Sequence, residues 1–402
     1  MIVKVSPSVA RGSVKAPSSK SYAHRLLIAS ALCDGKSVIN NIDINDDINA
    51  TISCLEKIGA EFIFDGNSVT VYGISPERKL SSQTFFCNES GSTLRFLIPL
   101  SLLYCNESVF SGSQRLLERP QSVYESVLGD IGCSIHHEEK SLVVKGEMKS
   151  GTFKLRGDVS SQFITGLLFT LPLLEDDSEI ILTTPLQSAP YIDITIEALK
   201  TFGVEISSTE NGWFVKGKQK YTPCTTVCEG DWSNSAFLDC FNLSGGSVNV
   251  EGLNSDSVQG DKAYKDFFCG LKGDEPCFDI SQCPDLGPVL IACAACSGGA
   301  LIKGTSRLKI KESDRGAAMA EELRKFGVNL ELYDDYIKVP CVQLSKPAQA
   351  LNCHNDHRIM MSLTFLSSIT GGEIHGAQCV NKSYPRYLDD IKKLGIIFEI
   401  TR

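Results

Sequence analysis

Leu199-Lys200-Thr201-Phe202-Gly203-Val204 and Leu323-Arg324-Lys325-Phe326-Gly327-Val328 are two copies of one phrase, a helical ending closed by Gly and an apolar residue. Four further versions are Leu55-Glu56-Lys57-Ile58-Gly59-Ala60, Leu128-Gly129-Asp130-Ile131-Gly132-Cys133, Cys269-Gly270-Leu271-Lys272-Gly273 and Ile391-Lys392-Lys393-Leu394-Gly395-Ile396. Upstream of each, a polar cluster leads into an apolar run. The clusters are Pro17-Ser18-Ser19-Lys20-Ser21, Asn88-Glu89-Ser90-Gly91-Ser92-Thr93, Gly157-Asp158-Val159-Ser160-Ser161-Gln162, Glu229-Gly230-Asp231-Trp232-Ser233-Asn234, Cys283-Pro284-Asp285-Leu286-Gly287 and His354-Asn355-Asp356-His357-Arg358. A period of roughly 70 residues exceeds a solenoid unit and indicates a repeated subdomain.

Within a repeat the pattern reads strand, polar turn, helix, strand, second helix, then a hairpin-like pair. In the first copy Arg25 to Ala31 is helical, Ser37 to Asn40 extended, and Asp46 to Ile58 a helix with Ile48, Ile52, Leu55 and Ile58 on one face. Phe62 to Phe64 and Val69 to Val71 flank the turn Asp65-Gly66-Asn67. The third copy follows through Ile192 to Thr201 and the strand pair Val204 to Ile206 and Trp213 to Val215. The fourth is shorter around Cys269 to Ile280. Three repeats per domain is the natural division, with a boundary near Tyr221 to Cys228.

The 402 residues suffice for two full cores, and the net charge of −9 argues against nucleic acid or an anionic membrane as partner. Met1 to Val5 alternates like a strand, and no apolar run has membrane-spanning length. The 16 cysteines form no compact framework, so reduced cytosolic thiols are expected. Cys293 and Cys296 share an apolar helical run and read as buried structural thiols rather than ligands.

A Ser, Thr, Asp or Asn before an apolar helix caps it, and the free N–H groups there suit anions. Lys20, between Ser19 and Ser21 with Arg25 a turn on, is a candidate anion site without P-loop glycines. Ser160, Ser161 and Gln162 offer two hydroxyls and an amide, and Ser188 to Tyr191 opens another helix; capping accounts equally for both. Arg115, Arg119, Lys309, Lys311, Arg315, Arg358 and Lys382 lie near turns or helix starts, where Arg can bind carboxylate and phosphate bidentately. Asp285 reads as a cap or a base, and His357 as a packed imidazole or a proton-transfer group.

In order along nearly the whole chain, Ser19-Lys20-Ser21 with Arg25, Gly91-Ser92-Thr93-Leu94-Arg95, Glu118-Arg119-Pro120, Val159-Ser160-Ser161-Gln162-Phe163, Ser188 to Asp193, Lys311-Glu312-Ser313-Asp314-Arg315 and Asn355-Asp356-His357-Arg358 resemble the 5-enolpyruvylshikimate-3-phosphate synthase family. The resemblance implies an α/β fold of two similar domains, each of three βαβαββ repeats around a pseudo-threefold axis, the inside-out α/β barrel of the enolpyruvyl transferases. It implies one domain over 16–228 and another combining 1–15 with 229–402, with a cleft holding both substrates and closing on binding. The implied reaction joins the enolpyruvyl group of phosphoenolpyruvate to the 5-hydroxyl of shikimate 3-phosphate and releases phosphate through a tetrahedral intermediate. No metal or organic cofactor is expected, and a cytoplasmic monomer is.

By the same resemblance Lys20, Gly91, Arg119, Gln162, Arg315, Arg358 and Lys382 serve phosphoenolpyruvate. Lys20, Ser21, Arg25, Ser160, Ser161, Gln162, Ser188, Tyr191, Asp285 and Lys311 serve shikimate 3-phosphate. Asp285 is the base toward the 5-hydroxyl, Glu312 and Lys20 are the candidates for proton transfer at the methylene carbon, and His357 supports Glu312 or a bound anion. Glu89 and Arg307 depart from the family pattern, where Asn is common; retained Gly91 implies sensitivity to glyphosate, which occupies the phosphoenolpyruvate site. The alternatives are the transferase acting on UDP-N-acetylglucosamine, which carries a loop Cys and a Lys-Asn pair missing here, an RNA 3′-phosphate cyclase, and a non-catalytic phosphometabolite-binding protein.

Overall fold

The computed structural model describes residues 1–401. Its principal helices, in chain order, are α1 (Lys20–Ala31), α2 (Asp46–Lys57), α3 (Gly91–Tyr104), α4 (Ser122–Gly129), α5 (Ser161–Thr170), α6 (Ala189–Thr201), α7 (Trp232–Asp239), α8 (Tyr264–Gly270), α9 (Gly287–Ser297), α10 (Arg315–Lys325), α11 (His357–Thr370) and α12 (Tyr387–Lys393). Odd-numbered helices open the six repeats and even-numbered ones close them. None of the described helices is long and apolar enough to cross a membrane.

The closing phrase works as a helix stop. Gly59, Gly132, Gly203, Gly327 and Gly395 have φ between +77° and +111°, which costs glycine little. After α6, Gly203 N–H donates to Lys200 O and Val204 N–H to Leu199 O, both at 3.0 Å; after α10, Gly327 to Arg324 and Val328 to Leu323 repeat the pattern at 3.0 Å. This paired closure satisfies carbonyls that the helix end leaves open. It also corrects the expected strand at Val204 to Ile206. Val204 is spent on the cap and 1% exposed, so the strand starts later, at Ser207–Thr209.

Each complete repeat forms one four-stranded sheet. In the third, Thr152–Leu155 runs parallel to Ser178–Leu182, Gly212–Val215 pairs antiparallel with the latter, and Ser207–Thr209 takes the edge. Its register aligns Phe153, Ile180 and Trp213 across the sheet, and all three are buried, so one face carries the core. The fourth repeat departs from the pattern. Among the described residues its sheet has two strands, Arg11–Lys15 and Ser247–Glu251, and no hairpin; neither Gly270 nor Gly273 is left-handed.

Strands far apart in sequence complete two other sheets. Thr225–Val227 pairs parallel with Lys36–Asn40 and supplies the first strand of the first repeat. Ile2–Val5 lies between Gly372–His375 and Phe398–Thr401 and supplies the last strand of the sixth. The chain divides into two compact units, one of Ser18–Glu229, the other of Met1–Pro17 with the chain from Gly230 onward. Each has its own core. The opening helices are buried nearly all round: every residue of α7, and every residue of α9 from Gly287 to Ala295, is buried. The closing helix α2 is two-faced instead, burying Ile48, Ile52 and Leu55 while Asn49, Ser53 and Glu56 stay exposed.

Candidate active site

In the Ser18–Glu229 unit the polar clusters are helix starts. Ser19, Ser90 and Ser160 accept from Tyr22, Thr93 and Gln162 N–H groups and cap α1, α3 and α5. Ser188 behaves differently. It takes φ 58° and ψ 40°, and its side chain does not cap α6, so the capping reading of that residue is corrected. A non-glycine residue in this left-handed region carries strain, which functional sites often retain.

Lys20 heads α1 and pairs with Asp47 Oδ2 at 2.8 Å, near the start of α2. Arg25 is buried one turn on. It donates to Thr195 Oγ1 at 2.7 Å, Ser21 O at 2.7 Å and Tyr191 O at 2.9 Å, and lies over the Phe96 ring at 5.1 Å. Burial pushes its pKa down to about 10, so it stays charged at neutral pH. Arg25 thereby fixes the backbone beside two other candidates, Ser21 and Tyr191.

Arg95 plays a similar part in the second repeat, five residues past the cap Ser90 where Arg25 is six past Ser19. It donates to Gln162 Oε1 and Pro120 O, each at 2.9 Å, and Gln162 Nε2 donates to Ser92 Oγ at 3.1 Å. Gln162, at the start of α5, is thus oriented by two side chains of α3. The sequence reading gave Arg95 no role beyond its place in the motif Gly91 to Arg95. Arg119 crosses close above Gly91: a Cβ there would stand 2.4 Å from Arg119 Nη1. That close approach is the reason for glycine at position 91.

The other unit gathers a second cluster around Arg315, whose side chain is 0% exposed. Its guanidinium reaches Asp285 Oδ1 at 2.8 Å, Glu312 Oε2 at 2.7 Å and Asp356 Oδ2 at 2.9 Å. Burial alone would lower this guanidinium's pKa; the charges of Asp356, Glu312 and Asp285 more than reverse that, and it is raised. Asp285 also meets Lys311 at 3.1 Å and Arg358 Nη2 at 3.0 Å. Asp285 lies in the turn Pro284–Leu286 ahead of α9, whose N-cap position is Leu286, so of its two readings the cap does not hold. Asp356 caps α11 through Arg358 N–H at 2.9 Å and accepts from Ser313 Oγ at 3.1 Å.

Lys382 donates to Asn355 O, which joins it to the same helix start. His357 is buried as the first residue of α11. Lys309 stands apart, exposed and 3.7 Å from Asp334. Cys293 and Cys296 lie in α9, the latter donating to Ala292 O at 3.1 Å. Sequence reading missed Asp261, a buried carboxylate linked through Ser233 to Arg358. Two clusters of Lys and Arg, laced with hydroxyls and carboxylates, suit substrates bearing several negative charges and hydroxyls.

In its repeats and sheet order the chain has the enolpyruvyl transferase fold. EPSP synthase of Acinetobacter baumannii superposes with a TM-score of 0.80 over 100% of both chains at 20% identity. The enolpyruvyl transferase NikO from Streptomyces tendae gives 0.75 at 14% identity, over 100% of this chain and 98% of its own. The sequence profile of EPSP synthase (3-phosphoshikimate 1-carboxyvinyltransferase) matches residues 6–269 and 270–391. The 3-phosphoshikimate 1-carboxyvinyltransferase of Clostridium beijerinckii is 40% identical, with 99% of this chain and 98% of that protein covered. That of Clostridium acetobutylicum is 39% identical, with 98% and 97% covered. The chain belongs to the EPSP synthase family.

Proposed function

We propose that this chain transfers the enolpyruvyl group of phosphoenolpyruvate to the 5-hydroxyl of shikimate 3-phosphate, releasing phosphate, in aromatic amino acid biosynthesis. The observation that carries this reading is the Asp285 carboxylate, held at once by Lys311, Arg315 and Arg358 at 3.1, 2.8 and 3.0 Å. A base so fixed can take the 5-hydroxyl proton as the oxygen attacks C2 of phosphoenolpyruvate. Glu312 or Lys20 gives C3 its proton, forming a tetrahedral intermediate. C3 then returns a proton, the bond from C2 to the phosphate oxygen breaks, and phosphate leaves.

In this reading Lys20, Arg119, Arg315, Arg358 and Lys382 hold the phosphate and carboxylate of phosphoenolpyruvate, with Gly91 and Gln162 beside them. Lys20, Ser21, Arg25, Ser160, Ser161, Gln162, Ser188, Tyr191, Asp285 and Lys311 hold shikimate 3-phosphate. Arg25 and Arg315 act partly through the groups they fix, since both start from buried, fully engaged positions.

The deciding experiment is phosphate release by the purified protein with both substrates and with each omitted in turn. Release that requires both supports the transferase. Release with UDP-N-acetylglucosamine in place of shikimate 3-phosphate points to the sister transferase, and binding without release to a non-catalytic binder.

Gly91→Ala is expected to push Arg119 aside and raise KM for phosphoenolpyruvate about tenfold, the worth of a hydrogen bond to a charged group. Glyphosate should compete with phosphoenolpyruvate in the wild type and inhibit the variant less. An unchanged KM removes the assigned contact.

Burial pushes Lys311 down to about 8, against the pull of Asp285. Above that pH the free enzyme loses this positive charge, so kcat/KM for shikimate 3-phosphate is expected to fall on the alkaline side. Lys311→Arg should move that limb upward. A limb that stays put assigns it to another group.

A further inference from the structure

We propose that Ser233 and Asp261 form a positioning pair that fixes the Arg358 guanidinium against Asp285. The relevance to turnover rests on the reading of Arg358 as a phosphoenolpyruvate ligand. Arg358 Nη1 donates to Ser233 Oγ at 2.7 Å, and Ser233 Oγ donates to Asp261 Oδ1 at 3.0 Å. On its other side Arg358 reaches Asp285 Oδ2 at 3.0 Å and Asp285 O at 3.3 Å.

Chemistry sets the direction of this chain. A guanidinium only donates, so Ser233 must accept from it. The single hydroxyl proton must then go to Asp261, which must accept. Ser233 is 7% and Asp261 4% exposed, so water competes little and the bonds are strong. The parts come from three repeats: Ser233 of α7 and Asp261 of the turn Gly260–Ala263 from the fourth, Asp285 from the fifth and Arg358 of α11 from the sixth.

The groups acting on Asp261 are Asp285, Arg358 and Asp231, with the Cys283 thiol also beside it. Burial first, then the Asp285 charge, lifts Asp261 to about 6. Below that pH the neutral carboxyl still accepts from Ser233 through its carbonyl oxygen but loses the charge that strengthens the bond, so the hold on Arg358 weakens.

The test is steady-state kinetics of the full chain with Ser233→Ala and Asp261→Asn, varying each substrate in turn, with thermal midpoints alongside. Ser233→Ala is expected to raise KM for phosphoenolpyruvate about tenfold. KM for shikimate 3-phosphate should stay within about twofold and the midpoint should hold, as for loss of one local bond. Asn at 261 still accepts through its carbonyl but does not titrate, so the acid-side fall in kcat/KM for phosphoenolpyruvate near pH 6 should weaken relative to wild type. Unchanged KM and pH profile overturn the proposal, as does an equal rise of both KM values with a lowered midpoint, the mark of a merely structural pair. If Asp261→Asn does not fold, Ser233→Ala decides. A wild type without turnover refutes the transferase reading instead.

Discussion

Asp285→Ala is expected to cut turnover by about 10³-fold or more while shikimate 3-phosphate affinity changes far less. A positioned general base contributes roughly 10²- to 10⁴-fold. This carboxylate also gathers Lys311, Arg315 and Arg358 within 3.1 Å, so removing it leaves three cations without their common partner. Both effects lower kcat: the hydroxyl keeps its proton, and the cations lose their arrangement. Asp285→Asn separates them, because the amide oxygen still accepts hydrogen bonds but is no base. Single-turnover phosphate release and calorimetric titration of shikimate 3-phosphate make the comparison. A variant that loses affinity and turnover in proportion would reduce Asp285 to a binding group.

Arg315→Met is expected to destabilise its unit by about 3–5 kcal/mol, the cost of stranding buried charge. That corresponds to roughly 10 °C in the thermal midpoint. Arg315 has no exposed side-chain surface and pairs with three carboxylates, of which Asp356 is itself 0% exposed. Asp356 also caps α11, so its disturbance reaches Arg358 directly. Arg315→Lys keeps the charge without the planar fork and should recover only part of the loss. Urea or thermal unfolding measures both. A wild-type midpoint for Arg315→Met would refute the account of the cluster.

Much of this was readable from local pattern. The turn at Asp65-Gly66-Asn67 was, because one glycine with φ +60° suffices for it. Val204 was misread as strand because an apolar residue after a helical Gly serves either the cap or the next strand. Capping stayed open as one reading of Ser188 because its left-handed backbone angle leaves no trace in residue type. Arg95 stood in the motif Gly91 to Arg95 but carried no feature separating it from a solvated arginine. Asp261 carried no signal, since only the fold places Ser233 and Arg358 beside it.

The sequence by itself determined the six repeats, the helix starts at Ser19, Ser90, Ser160, Asp231 and Asp356, and five of the six glycine stops. These depend on hydrogen bonds between residues two to five positions apart, so their chemistry is written locally. Tertiary structure alone decided which distant strands complete a sheet, as Ile2–Val5 does beside Phe398–Thr401. It alone assembled Ser233, Asp261, Asp285, Glu312, Arg315, Asp356 and Arg358 into one network. The physical reason is that buried charges are stable only when paired, and the partners that satisfy each charge come from segments brought together by packing of the apolar helices between them.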